Sequence, residues 1–116
     1  MRREVIELFD YLGLSPKYLG YKYLTDAAVM CIESTMDKKE ITVKSLFTQV
    51  AYKYNTHYMH VDKDSRTCIE GLFIKGNLDR INEIFQSVST YYVDKPSNKL
   101  FLKTIVSKIV NNNMDN

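Results

Sequence analysis

Residues 45–77, SLFTQVAYKYNTHYMHVDKDSRTCIEGLFIKGN, predict two helices joined by a tight turn. In the first half of this stretch, apolar residues recur at helical spacing: Leu46, Phe47, Val50, Ala51 and Tyr54. Asn55 and Thr56 interrupt the pattern, which resumes at Val61, Cys68, Ile69, Leu72 and Phe73. The opposite side of the second helix carries a polar face of Met59, Asp62, Lys63, Arg66, Thr67 and Glu70. A short helix, a turn and a second helix with such a face is the plan of a helix-turn-helix DNA reader.

The same pattern has a simpler interpretation. Any helical hairpin in a bundle exposes one polar face, and lysine and aspartate there then serve only as solubilising charges. Periodicity alone does not separate these two interpretations.

Four motifs along the chain, two of which begin within residues 45–77, add to this pattern. They are GYKYL at 20–24, AYKYNT at 51–56, GN at 76–77 with INEIF at 81–85, and KPSN at 95–98. In this order they resemble the DNA-binding effector domain of the stage-zero sporulation master response regulator of endospore-forming bacteria, from about residue 12 to residue 109. The resemblance implies an all-α domain that binds tandem copies of a short box in double-stranded DNA and contacts the RNA polymerase sigma factor.

The resemblance also implies which side chains meet DNA. Aligned without gaps, the family's base-reading positions fall at Asp62, Lys63, Arg66 and Thr67. Lysine donates to guanine and aspartate accepts from the cytosine amino group, but lysine lacks the planar fork of the family's arginine. We therefore expect a related but altered or looser base preference. The candidates for phosphate contact are Lys53, His57, His60 and Lys75.

Departures from the family pattern weaken the second helix. Tyr58 and Met59 stand where the family has proline and serine, Gly71 disfavours helix, and Ser65 replaces an inward isoleucine. The last change loses on the order of 1–3 kcal/mol of apolar burial. These changes motivate an alternative: a protein-interaction module of the same fold with weak or no DNA binding. Its polymerase-facing surface would include Leu78, Asp79 and Arg80.

The family's domain follows a phosphorylated receiver. Residues 1–11 are too short to hold one, and Met1 leads directly into an amphipathic pattern. The sequence is therefore either a fragment of a longer protein or a stand-alone version without phosphorelay control, and the pattern after Met1 favours the stand-alone version. We also expect a homodimer on tandem sites.

Composition is that of an ordinary globular domain of 116 residues with a formal net charge of +2. Residues 38–80 carry eight basic and five acidic side chains, whereas residues 1–37 carry four and six. The positive excess therefore falls on the segment expected to meet phosphates, and it is small enough to predict modest, salt-sensitive affinity. No apolar run is long enough to span a bilayer, so we expect a cytoplasmic protein, with Cys31 and Cys68 as buried free thiols.

Metal and catalytic interpretations are weak. The spacing of His57, His60, Asp62 and Cys68 matches no common zinc pattern. A calcium loop opening at Asp62 would need glycine where Thr67 stands and glutamate where Phe73 stands. We expect no metal, no cofactor and no enzymatic activity.

We predict one domain, residues 1–116, of about six helices. The first covers residues 3–12 and is ended by Gly13. The second starts at a Ser15 cap with Pro16, ends near residue 33, and buries Leu19, Tyr23, Ala27, Met30 and Cys31. The third helix begins after a Thr42 cap and ends at residue 54. Residues 58–75 form the fourth helix and residues 78–86 the fifth. The sixth helix begins after a Ser97 cap and ends at residue 110. Residues 87–95 are irregular or a local strand, and residues 111–116 a frayed tail.

Overall fold

The structure, a computed structural model, describes residues 1–85 and 95–114. Those ranges contain six helices and no strand: α1 (Arg2–Leu12), α2 (Leu19–Met36), α3 (Val43–Lys53), α4 (Tyr58–Lys75), α5 (Leu78–Phe85) and α6 (Asn98–Met114). The predicted all-α fold is confirmed. The irregular segment or local strand predicted at residues 87–95 lies, except for Lys95, outside the described residues.

Local capping signals placed most helix ends correctly. Gly13 adopts the left-handed conformation, with φ of 92°, and its N–H donates to the carbonyls of Phe9 and Asp10. Thr42 Oγ1 accepts from the N–H of Ser45 at 3.0 Å, and Ser97 Oγ accepts from the N–H of Leu100 at 3.1 Å. Each of these contacts satisfies a backbone group that the helix end leaves unpaired.

The predicted start of α2 was wrong. The helix begins at Leu19, because Ser15 Oγ accepts from the N–H of Lys17 at 3.2 Å and forms a local turn instead of a helix cap. Leu19 is 59% exposed and does not belong to the core stripe. Tyr23 and Ala27 are buried as predicted, and α2 extends past residue 33 to Met36.

The central helix of the bundle is α2, which packs against α1, α3, α4 and α6. Aromatic rings fill the space between α1, α5 and α6. The ring centroids of Phe9 and Phe101 are 5.9 Å apart, and those of Phe85 and Phe101 are 5.7 Å apart. The helix that carries the predicted DNA-reading face, α4, is therefore held against the central helix α2.

Gly20 sets how closely α2 approaches α4. A Cβ atom at this position would lie 2.1 Å from the carbonyl oxygen of Asp64 and 2.8 Å from Cα of Ser65. Ser65 is fully buried at this contact. The space that a larger inward side chain would need on α4 is thus occupied by the backbone of α2.

The last helix, α6, extends four residues past its predicted end at residue 110, into the segment predicted as a frayed tail. Phe101, Ile105 and Ile109 are buried, whereas Leu100 is 38% exposed. Within the described residues, no helix combines the length and apolar character that crossing a bilayer requires.

Candidate nucleic-acid interface

The turn between α3 and α4 is four residues long, from Tyr54 to His57. Asn55 adopts the left-handed conformation at φ of 53°, which asparagine tolerates better than most residues. The N–H of Thr56 then donates to the carbonyl of Ala51 at 2.9 Å and closes the turn. These local contacts set the angle at which α4 leaves α3.

One face of α4 points away from the bundle. Met59, Lys63, Arg66 and Thr67 are spaced by four, three and one residues and are all exposed, with Met59 at 74%. Three of the four residues predicted to read bases are therefore brought together on an open helical surface. Met59 extends this surface by one turn toward the N-terminal end of α4.

Asp62, the fourth predicted base reader, is held by neighbouring side chains. Arg66 Nη2 donates to its Oδ2 at 2.8 Å, and Asn98 Nδ2 donates to its Oδ1 at 3.0 Å. Asn98 Nδ2 also lies 3.1 Å from the backbone carbonyl oxygen of Asp62. The Asp62 side chain is only 28% exposed, so its carboxylate orients Arg66 and anchors α4 to α6.

Sequence reasoning missed this role of Asn98. Its side chain is buried, and its Oδ1 is without a hydrogen-bond partner in the described part of the chain. Because Asn98 is 36 residues from Asp62, helical periodicity could not connect the two. The one available signal was the KPSN motif that contributed to the resemblance.

Two further contacts restrain the α4 face. Thr67 Oγ1 donates to the carbonyl of Lys63 at 3.1 Å, a backbone contact one turn away. Farther along, Glu70 Oε1 lies 2.8 Å from Nζ of Lys95, in the segment that leads into α6. Lys63 and Arg66 are the exposed basic groups that this face offers to DNA.

Lys53, a predicted phosphate contact, has a half-exposed side chain that is paired with a buried carboxylate. Its Nζ lies 3.0 Å from Oδ2 of Asp26, whose side chain is only 1% exposed. Arg2 Nη2 and the Tyr54 hydroxyl donate to the same carboxylate, at 2.6 and 2.5 Å. Phosphate would therefore have to compete with Asp26 for this ammonium group.

Asp26 remains ionised because these donors outweigh its burial. Burial raises the pKa of Asp26, but the hydrogen bonds from Tyr54, Arg2 and Lys53 lower it further, to below the ordinary value. Burial and the hydrogen bond to Asp26 raise the pKa of Tyr54 to about 12, so Tyr54 stays a donor. This cluster fastens α1 and the C-terminal end of α3 to α2.

The other predicted phosphate contacts, His57, His60 and Lys75, are exposed. Thr56 Oγ1 lies 3.1 Å from Nδ1 of His60, and the two imidazole rings meet edge to face, 5.7 Å apart. Cys68 is fully buried on the other side of α4. In residues 1–85 and 95–114, no three side chains of metal-ligand type are grouped.

The α4–α5 junction forms a separate exposed surface. Ile74 is 75% exposed and Leu78 is 56% exposed, and Asp79 and Arg80 are also exposed. Arg80 is nevertheless held to α1: its guanidinium lies 4.5 Å from the centroid of the Tyr11 ring and donates to the Tyr11 carbonyl at 3.2 Å.

The geometry of α3, the turn and α4 defines a helix-turn-helix, the class of domain that presents its second helix to DNA. The family described as "Sporulation initiation factor Spo0A C terminal" matches this sequence over residues 5–109, and the chain belongs to that family. It is thus a DNA-binding effector domain of the sporulation-regulator type. The family is one of regulatory domains and is not a known enzyme family. The family expected from the sequence motifs is confirmed.

Proposed function

We propose that this chain is a sequence-specific, double-stranded DNA-binding transcription regulator that reads the major groove with α4. The observation that supports this is the open face of Met59, Lys63, Arg66 and Thr67 on a helix whose other side packs against α2, α3 and α6. Lysine and arginine at adjacent turns are placed to donate to guanine edges, and the methionine and threonine methyl groups suit thymine. The whole chain acts as one DNA-binding domain in the cytoplasm.

In this proposal Asp62 has two tasks. Its carboxylate holds Arg66 in a defined orientation, and each of its oxygens keeps further accepting capacity for a cytosine amino group. An aspartate fixed by Asn98 would discriminate between bases better than a mobile one, because less conformational freedom is lost on binding. His57, His60 and Lys75 supply phosphate contacts around this centre, and Lys53 joins them only if it leaves Asp26.

Fluorescence anisotropy with labelled duplexes tests the proposal. The duplexes carry the family's box once, twice in tandem, or scrambled, and each is titrated across a salt series. We expect preference for the box, a further gain on the tandem site from a homodimer, and loss of the preference in Lys63→Ala and Arg66→Ala. Lys17→Ala, an exposed lysine on the α1–α2 connection, is the matched control. Equal, steeply salt-dependent binding to all three duplexes would instead mean phosphate contact without base readout.

A second candidate function is a protein-interaction module that binds the RNA polymerase sigma factor. The exposed apolar side chains of Ile74 and Leu78, next to Asp79 and Arg80, favour it because they form a surface unrelated to base reading. A sigma-factor pull-down that Leu78→Ser abolishes, from a chain that binds no box duplex, would support this function over the first.

A further inference from the structure

A basic groove between α3 and α6 lies apart from the α4 face. Its volume is about 1500 Å³, and its lining comes from the end of α2, the loop after it, the start of α3 and α6. Ile84 of α5 contributes to its floor, and α4 contributes none of its described lining residues. A DNA duplex on α4 therefore does not need this groove.

Six of the chain's 16 lysine and arginine residues border this groove. Six exposed lysines line it, three before α6 and three on α6: Lys38, Lys39, Lys44, Lys99, Lys103 and Lys108. In the described residues, Glu40 is the single acidic group among them, and none of the six lysines is in an ion pair. Because the whole chain carries only +2, the residues outside the groove are net negative.

This changes the interpretation of the charge distribution. Three of the eight basic residues in 38–80 are Lys38, Lys39 and Lys44 of the groove. The rest of that segment contains five basic and four acidic residues, so the α4 face has little excess charge. The groove, not the helix-turn-helix, is the main cationic surface of the described structure.

The floor of the groove is apolar. Its side chains are Ile41, Val43, Leu46, Ile84, Leu100, Leu102, Val106 and Val110. Leu100 is 38% exposed, and Ile41, Val43 and Val110 are half-buried. Apolar side chains that line a groove together with six lysines are the complement of an amphipathic segment that carries carboxylates beside its apolar face.

We propose that this groove binds an acidic amphipathic helix of a partner protein, with its apolar side chains on the floor and its carboxylates against the surrounding lysines. The lining runs along α6 from Lys99 to Asn111, about 18 Å at the rise of an α-helix. That length accommodates about 12 residues of a docked helix, the size at which helix-in-groove recognition operates.

Nucleic acid fits this groove less well. A phosphate backbone would pair with the lysines, but it would set charged groups against the exposed apolar floor around Leu100. Such a contact desolvates charge without the favourable free energy of burying apolar surface against apolar surface. Charge and apolar surface together favour a protein segment.

The test uses a fluorescein-labelled peptide of about 16 residues, with leucines at helical spacing and glutamates on both edges. One control peptide replaces the leucines by alanine, and a second replaces the glutamates by lysine. We expect the first peptide to bind, and Lys103→Glu or Leu100→Ser to weaken it about tenfold or more. Lys17→Glu, the same charge reversal outside the groove, should change binding little. Box-duplex affinity should respond equally to Lys103→Glu and Lys17→Glu.

Four results would overturn the proposal. Absence of peptide binding removes it directly. Equal binding of the leucine and alanine peptides would show attraction by charge alone. A loss of box-duplex affinity specific to Lys103→Glu would assign the groove to DNA. Sedimentation that shows a dimer dissolved by Lys103→Glu but not by Lys17→Glu would assign it to a second copy of this chain.

Discussion

Replacing Gly20 by alanine should destabilise the protein even though alanine is the better helix former. Alanine in a helix interior gains about 1 kcal/mol over glycine. The new Cβ would, however, lie 2.1 Å from the Asp64 carbonyl oxygen, so α2 and α4 must separate by about 1 Å. Overpacking of this kind costs about 1–3 kcal/mol, and a backbone obstacle belongs to the upper part of that range.

The expected net loss for Gly20→Ala is therefore about 1–2 kcal/mol, or roughly 4–8 °C in Tm. Urea unfolding followed by far-UV circular dichroism measures it. Gly71→Ala is the matched control, because its Cβ would meet the outer part of the Tyr18 ring at 2.6 Å, and a half-buried ring can turn away. We expect this control to be neutral or up to about 1 kcal/mol more stable than wild type.

Equal stability of Gly20→Ala and wild type would refute the reasoning, since α2 and α4 would then not be in the close contact described. A loss in Gly71→Ala as large as that in Gly20→Ala would also refute it, because the backbone obstacle would not matter.

Substitutions at three further residues test the site and the ion-pair cluster that supports it. Asn98→Ala should cost about 1–2 kcal/mol of stability and lower the ratio of box affinity to scrambled-duplex affinity. Asn98→Asp should lower both further, because it places a second carboxylate against Asp62. An unchanged affinity ratio would show that Asn98 does not position Asp62 for base reading. Asp26→Asn should lower the free energy of unfolding by roughly 2–3 kcal/mol at neutral pH. Because folding lowers the pKa of Asp26, this stability difference from wild type should shrink as the pH falls through that pKa, which urea titrations at several pH values measure. Lys75→Ala should reduce the salt dependence of DNA binding by about one unit of slope, and an unaltered slope would remove it from the interface.

The helix-turn-helix was predictable because its determinants are local. The apolar spacing of α3 and α4, the Thr42 cap and the Asn55-Thr56 interruption all act within one or two helical turns. The predicted bounds of α4, residues 58–75, match the structure for the same reason.

Contacts between distant residues were not predictable from spacing. Asp26 meets Arg2 and Lys53 across 24 and 27 residues, and this removes Lys53 from the freely available cations. The groove, too, combines lysines of α6 with Lys38, Lys39 and Lys44, and the charge count along the chain had assigned these last three to DNA. The prediction of where α2 starts was also wrong, because the Ser15 hydroxyl accepts from the N–H of Lys17 in a local turn and does not cap a helix.

Amide chemical-shift mapping of the nitrogen-labelled chain with a tandem-box duplex tests the central claim most directly. We predict the largest changes at Met59, Lys63, Arg66 and Thr67, with a scrambled duplex producing smaller changes there at the same salt concentration. Changes concentrated at the groove lysines, with the α4 face unmoved, would contradict the claim that α4 reads DNA.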